Sequence, residues 1–82
     1  MDRSNLEKAK KLNDMIKAYE NRKANLEKME DGRVSALLQH ETAPNCEALI
    51  PETLMDLSFL RDMAIRTYEK EISRLEAEMK EL

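Results

Sequence analysis

Apolar residues in the first third of the chain recur at alternating steps of three and four residues. Lys23 occupies one step of the series, and the other members are Ala9, Leu12, Ile16, Tyr19 and Leu26. This spacing predicts an amphipathic helix that packs along one face on another helix. Helical spacing resumes after the single glycine, Gly32. The first helix could end at this point with Gly32 as its C-cap, or continue through Gly32 at a cost of about 1 kcal/mol. We favour continuation or a kink and expect the first helix to run from about residue 4 to about residue 41.

The last third of the chain has the most regular pattern. Three uninterrupted heptads place apolar residues at Ile65, Tyr68, Ile72, Leu75, Met79 and Leu82. The part before them, residues 54–64, is apolar on more than one face, and such a helix needs more than one neighbour to cover it. We expect a second helix from about residue 51 to residue 82, whose first part belongs to a wider apolar head.

The segment between these helices holds both prolines, Pro44 and Pro51. The residue before a proline is disfavoured in the helical region, so the chain is expected to leave the helix here. We interpret residues 42–51 as a connector with one short turn of structure. The sequence thus predicts one all-α domain over residues 1–82, an antiparallel helical hairpin with a coiled-coil-like stem.

Size and composition favour association of this hairpin with a second copy. The chain has 82 residues, of which 38% are charged and 4% aromatic. A chain this short buries a limited core, and its single cysteine excludes an internal disulfide. We therefore expect a homodimer in which two hairpins form a four-helix arrangement.

Charge divides the chain into two unequal arms. Residues 1–31 carry 8 Lys and Arg against 7 Asp and Glu, a net charge of +1, whereas residues 52–82 carry 5 against 8, a net charge of −3. Net charges of opposite sign favour two arms that lie side by side. The total of −3 is too small to indicate a nucleic-acid partner or a membrane surface.

Two nucleic-acid alternatives remain open. Arg3, Lys10 and Lys17 recur every seven residues and line one helix face that could contact phosphates. In the second alternative, carboxylates of the second arm imitate DNA and inhibit a nucleic-acid enzyme. Acidic residues are interleaved with the basic face, and lysine and arginine dilute the acidic one, so a solvated face that pairs with the other helix is the simpler interpretation.

His40 and Cys46 are the chain's only histidine and only cysteine. A zinc site needs about four ligands, so these two could complete one only across a dimer interface. A cysteine nucleophile activated by His40 would need an orienting group and a substrate cleft. We interpret His40 as a solvated residue at a helix C-terminus and Cys46 as a buried apolar residue. No catalytic residue, metal or cofactor is predicted.

The chain has no apolar signal region near its start and no apolar run long enough to span a bilayer. We therefore expect a soluble, cytoplasmic protein without a membrane partner.

The predicted function is a non-enzymatic protein–protein interaction module: a small adaptor, regulator or inhibitor of a larger protein. Its predicted partner or dimer contact is the apolar head, formed by Leu37, Leu38, Leu54, Leu57, Phe59 and Leu60. Apolar residues there exceed what one facing helix can cover, and methionine-rich surfaces adapt readily to partners. A structural assembly or scaffold subunit is a further alternative.

Overall fold

A computed structural model describes residues 3–82 and contains two helices joined by a two-stranded antiparallel sheet. In chain order the elements are α1 (Arg3–Glu27), β1 (Ala36–His40), β2 (Ala43–Ile50) and α2 (Ser58–Lys80). Helices account for 60% and strands for 16% of these residues. The prediction of an all-α helical hairpin is therefore wrong. The four-helix arrangement of the expected dimer was part of that all-α prediction, whereas the expectation of a homodimer rests on the small core of a short chain.

The two helices lie side by side in opposite directions. The Tyr19 and Tyr68 rings meet with centroids 5.4 Å apart, and Lys23 Nζ lies 3.5 Å from Glu69 Oε1. Nearer the free ends, the buried side chains are Leu12, Ile16 and Leu75. Partly buried neighbours pack against this cluster: Met15, Tyr19, Ile72, Met79 and Leu82.

The first helix ends much earlier than its apolar pattern predicts. Its final turn closes with hydrogen bonds from Lys28 N to Ala24 O and Asn25 O, both 3.3 Å, and from Met29 N to Leu26 O, 3.1 Å. Gly32 follows in a turn with φ +78°, in the left-handed region that glycine adopts without steric cost. A right-handed helix cannot pass through this conformation, so the predicted continuation to residue 41 is wrong.

The connector is a β-hairpin rather than one helical turn. Ala36 pairs with Ile50, Leu37 with Leu49, Leu38 with Ala48 and Gln39 with Glu47. The next pair is His40 with Ala43, so residues 44–46 form a bulge in β2. Pro44 has no N–H group to donate, and a bulge is where a strand tolerates it. In a strand, the consecutive leucines at 37 and 38 point to opposite faces.

The molecule is elongated. Its radius of gyration is 16.5 Å, whereas a compact domain of this length has a radius of gyration of about 12 Å. Within residues 3–82, the β-hairpin packs against neither helix. Neither described helix is long and apolar enough to cross a membrane.

Candidate protein-interaction surface

Most of the large apolar side chains left exposed in residues 3–82 lie between the start of β1 and the second turn of α2. We call this set the apolar end: Leu37, Leu38, Leu49, Leu54, Met55, Phe59, Leu60 and Met63. Leu54 is the most exposed member, at 78%. Exposed apolar patches of this kind mark sites where a protein meets another molecule.

The β-hairpin displays apolar side chains on both faces. Leu37 and Leu49 are cross-strand partners on one face and are 57% and 62% exposed. Leu38 lies opposite Ala48 on the other face. The hairpin packs on neither helix, and all three leucines remain more than half exposed.

Polar contacts hold the tip of the hairpin. His40 Nδ1 accepts a hydrogen bond from Thr42 N at 3.2 Å. Gln39 Nε2 donates to Pro44 O at 3.0 Å and to Glu47 Oε2 at 3.4 Å. The Gln39 side chain thereby bridges the bulge, and the tip keeps its shape without an apolar core of its own.

A buried side chain and two hydrogen bonds hold the start of α2 in place, while its large apolar side chains remain exposed. Leu57, which precedes the helix, is 1% exposed. Ser58 N donates to Asp56 Oδ1 at 3.0 Å, and Ser58 Oγ accepts from Gly32 N at 3.0 Å. The hydrogen bonds from the Ser58 backbone and hydroxyl favour the ionised carboxylate and lower the pKa of Asp56.

Arg61 fixes the loop after α1 against α2. Its Nη1 donates to Met29 O at 2.7 Å, and its Nη2 lies 2.5 Å from Asp31 Oδ1 and 2.8 Å from Asp62 Oδ1. The hydrogen bond to Asp62 and the pairing with Asp31 raise the pKa of Arg61. Phe59, Leu60 and Met63 occupy neighbouring positions of a helix start that these contacts hold in place.

Five of the six predicted contact residues lie on this surface: Leu37, Leu38, Leu54, Phe59 and Leu60. Leu57 is buried and is therefore not part of this surface. The residues predicted for the contact did not include Leu49, Met55 and Met63. For Leu49, the missed signal is its strand pairing with Leu37, which a helical interpretation hides.

The predicted stem residues lie along the helix pair. Leu12, Ile16 and Leu75 are its buried centre, with Tyr19, Ile72 and Met79 packed against them. Tyr68 contacts Tyr19. Leu26 and Ile65 are half-buried.

His40 and Cys46 lie in the hairpin, and both were placed wrongly from sequence. His40 ends strand β1 rather than a helix, and Cys46 is exposed in the bulge rather than buried. With Leu38 and Ala48 they line an open depression on one face of the hairpin. Residues 3–82 contain no group of three His, Cys, Asp or Glu side chains placed to hold a metal.

Charges of both signs are interleaved along the helices. Arg3 Nε lies 3.6 Å from Glu7 Oε1 on α1. On α2, Arg74 pairs with Glu71 and Glu78, and its hydrogen bond to Glu71 lowers the pKa of that carboxylate. Between the helices, Glu69 pairs with Lys23. Arg3 of the basic face and Glu69, Glu71 and Glu78 of the second arm thus have partners of opposite charge.

Comparison of the chain with family models, with curated proteins and with solved structures gives no match.

Proposed function

We propose that this chain is a non-enzymatic protein-interaction module, a small adaptor, regulator or inhibitor that binds another protein through its apolar end. The observation that carries the proposal is the concentration of large exposed side chains between β1 and the second turn of α2. With about half of each side chain exposed, the eight members together offer roughly 800 Å² of apolar surface, divided between the two faces of the hairpin and the start of α2.

The chemistry of the surface indicates what it binds. Its members are aliphatic apart from one ring, that of Phe59, and two are the adaptable methionines Met55 and Met63. Aromatic and methionine side chains are enriched at interface centres, where charged residues are depleted. The partner is therefore a protein with an apolar groove or patch. We place this binding in the cytoplasm, where an exposed thiol such as that of Cys46 stays reduced.

Site-specific photocrosslinking in cells tests the proposal. A photoreactive amino acid at Phe59 should give a discrete crosslinked product, whereas the same group at the exposed Ala77 of α2 should not. Identical products from both positions would contradict an interface at the apolar end.

Binding of the crosslinked protein is then measured with purified components. Phe59→Asp should weaken the complex by about 30-fold or more, the effect expected when a hot-spot side chain is lost. Ala77→Asp introduces the same charge at an exposed position of the same helix and should leave the affinity within about twofold. Equal affinity of the Phe59→Asp variant and the unmodified chain would refute the proposal.

A further inference from the structure

Within residues 3–82 no strand pairs with the outer edge of β1, and we propose that a second copy of this chain covers it. The two β1 strands would pair antiparallel about a two-fold axis, producing a four-stranded sheet of order β2–β1–β1–β2. This inference rests on the proposed function, because it assigns one part of the apolar end to self-association.

The β-hairpin needs a partner more than any other element of the molecule. An isolated two-stranded hairpin is marginally stable in water, and three or more strands or a packed helix are needed for independent stability. This hairpin has two strands and packs on neither helix within residues 3–82. Two further strands from a second copy would supply the missing sheet.

The accessible surface of the chain is large enough for a dimer. The chain exposes 6662 Å², whereas a compact monomer of 9.6 kDa exposes about 5,100 Å². The excess is on the order of 1,500 Å², and each partner in a standard interface buries about 800 Å². A second copy can therefore cover the area that one partner buries in a standard interface and still leave apolar surface exposed.

The two edges of the hairpin differ, and β1 is the one suited to pairing. β1 reads ALLQH, with neither a proline nor an acidic or lysine residue. β2 contains Pro44 and Glu47 and is interrupted by the bulge. Prolines, bulges and charges are the features that keep an edge strand from pairing. They protect β2 and are missing from β1.

One register makes the hairpin complementary to itself, which favours a second copy over a different strand. With the axis at Leu37, the four strands align Leu49, Leu37, Leu37 and Leu49 in one row. On the opposite face, Leu38 of one copy lies beside Ala36 of the other, flanked by Ala48 and Ile50. Apolar cross-strand pairs of this kind stabilise a sheet, and no like charges oppose each other.

Lysine substitutions at cross-strand partners test this edge pairing. Leu37→Lys would place two lysines opposite each other at the axis, whereas Leu49→Lys alters the outer strand on the same face. Light scattering from about 1 to 100 μM should give twice 9.6 kDa for the unmodified chain. We expect Leu37→Lys to be monomeric and Leu49→Lys to remain dimeric. A monomeric unmodified chain, or equal dissociation by both lysines, would overturn the proposal.

Disulfide trapping tests the register. In a Cys46→Ala background, Leu37→Cys should oxidise rapidly to a covalent dimer, because facing residues of antiparallel strands have Cα atoms about 5 Å apart. Leu49→Cys should not, because its two copies would lie roughly 14 Å apart across three strand spacings. Faster crosslinking through position 49 than through position 37 would exclude the β1–β1 arrangement.

Failure of this inference and failure of the proposed function give different results. A monomeric chain that still crosslinks a protein through Phe59 would remove the β1 pairing and leave the interaction module intact. A dimer trapped through Leu37→Cys without a specific crosslink at Phe59 would support the β1 pairing and refute the interaction module.

Discussion

Arg61, in the first turns of α2, is ion-paired with Asp31 of the loop that follows α1, with Nη2 2.5 Å from Oδ1. The same guanidinium donates to the carbonyl oxygen of Met29 at 2.7 Å, and its side chain is 14% exposed. One side chain thereby joins two segments that are about thirty residues apart in the chain. It fixes where the chain leaves the helix pair and enters the hairpin.

Removing this guanidinium should loosen the loop without disturbing the far end of the helices. We expect Arg61→Met to lower the melting temperature by a few degrees and to speed amide hydrogen exchange in residues 28–35. Arg66→Met, at an exposed position of the same helix, is the matched control and should change neither. Unchanged exchange in the loop of the Arg61→Met variant would show that the contact holds nothing in place.

The pairing of the two helices could be predicted from sequence because their apolar spacing is regular and their partner is the other helix. Their extents could not: α1 ends at Glu27 rather than at about residue 41, and α2 begins at Ser58 rather than at about residue 51. The seam residues Leu12, Ile16 and Leu75 form the buried cluster that such spacing implies. The β-hairpin could not be predicted from sequence. The apolar residues at positions 34, 37 and 38 fit the period of a helix, and they also fit a strand whose consecutive side chains lie on opposite faces. Without a packed face, β1 shows none of the alternation that identifies a strand.

The sequence shows the concentration of leucines and methionines in this part of the chain, and five of the six residues predicted for the contact are exposed. The details of the apolar end depended on the fold. Leu57 is buried because the chain turns into α2 at that point, and Leu49 is exposed because it belongs to an uncovered strand. Both outcomes follow from backbone geometry that a helix to residue 41 followed by a one-turn connector does not contain.

Gly32 should be required for its backbone conformation rather than for its small size. Its φ is +78°, and a Cβ placed there would meet no heavy atom within 4 Å. We expect Gly32→Ala to destabilise the fold by about 1 kcal/mol, the cost of placing a side chain in the left-handed region. Gly32→Asn should cost less, because asparagine enters that region more readily. Urea denaturation at one protein concentration measures both, and equal losses would contradict this reason.

Leu75 should be among the most sensitive positions in the helix pair. It is 1% exposed and clusters with Leu12 and Ile16. Leu75→Ala should cost about 2–5 kcal/mol through lost burial and the cavity left behind. Leu54→Ala makes the same change at a side chain 78% exposed and should cost less than about 0.5 kcal/mol. Should Leu75→Ala fail to fold, Ile16→Val provides the milder test, with an expected loss of about 0.5–1.5 kcal/mol.

Acid should weaken the start of α2 through Asp56. The Ser58 hydrogen bonds lower the pKa of Asp56 below its ordinary value, which is about 3.9 in unfolded chains. Because the folded state binds this proton less readily, the stabilisation is present above about pH 3.9 and is lost as pH falls through the folded pKa. Asp56→Asn should therefore reduce the loss of stability between about pH 6 and pH 2.5. Asp14→Asn, at an exposed position of α1, is the control, and equal effects of the two would contradict this assignment.

The contact between Tyr19 and Tyr68 should contribute to pairing of the helices beyond simple burial. The ring centroids are 5.4 Å apart at an interplanar angle of 45°, within the range in which aromatic pairs attract each other by about 0.5–1.5 kcal/mol. A double-mutant cycle with Tyr19→Leu and Tyr68→Leu isolates this term, because leucine keeps much of the apolar area. We expect the double variant to be more stable than the sum of the single losses predicts, by about that amount. Strictly additive losses in urea denaturation would mean that the rings contribute only as apolar surface.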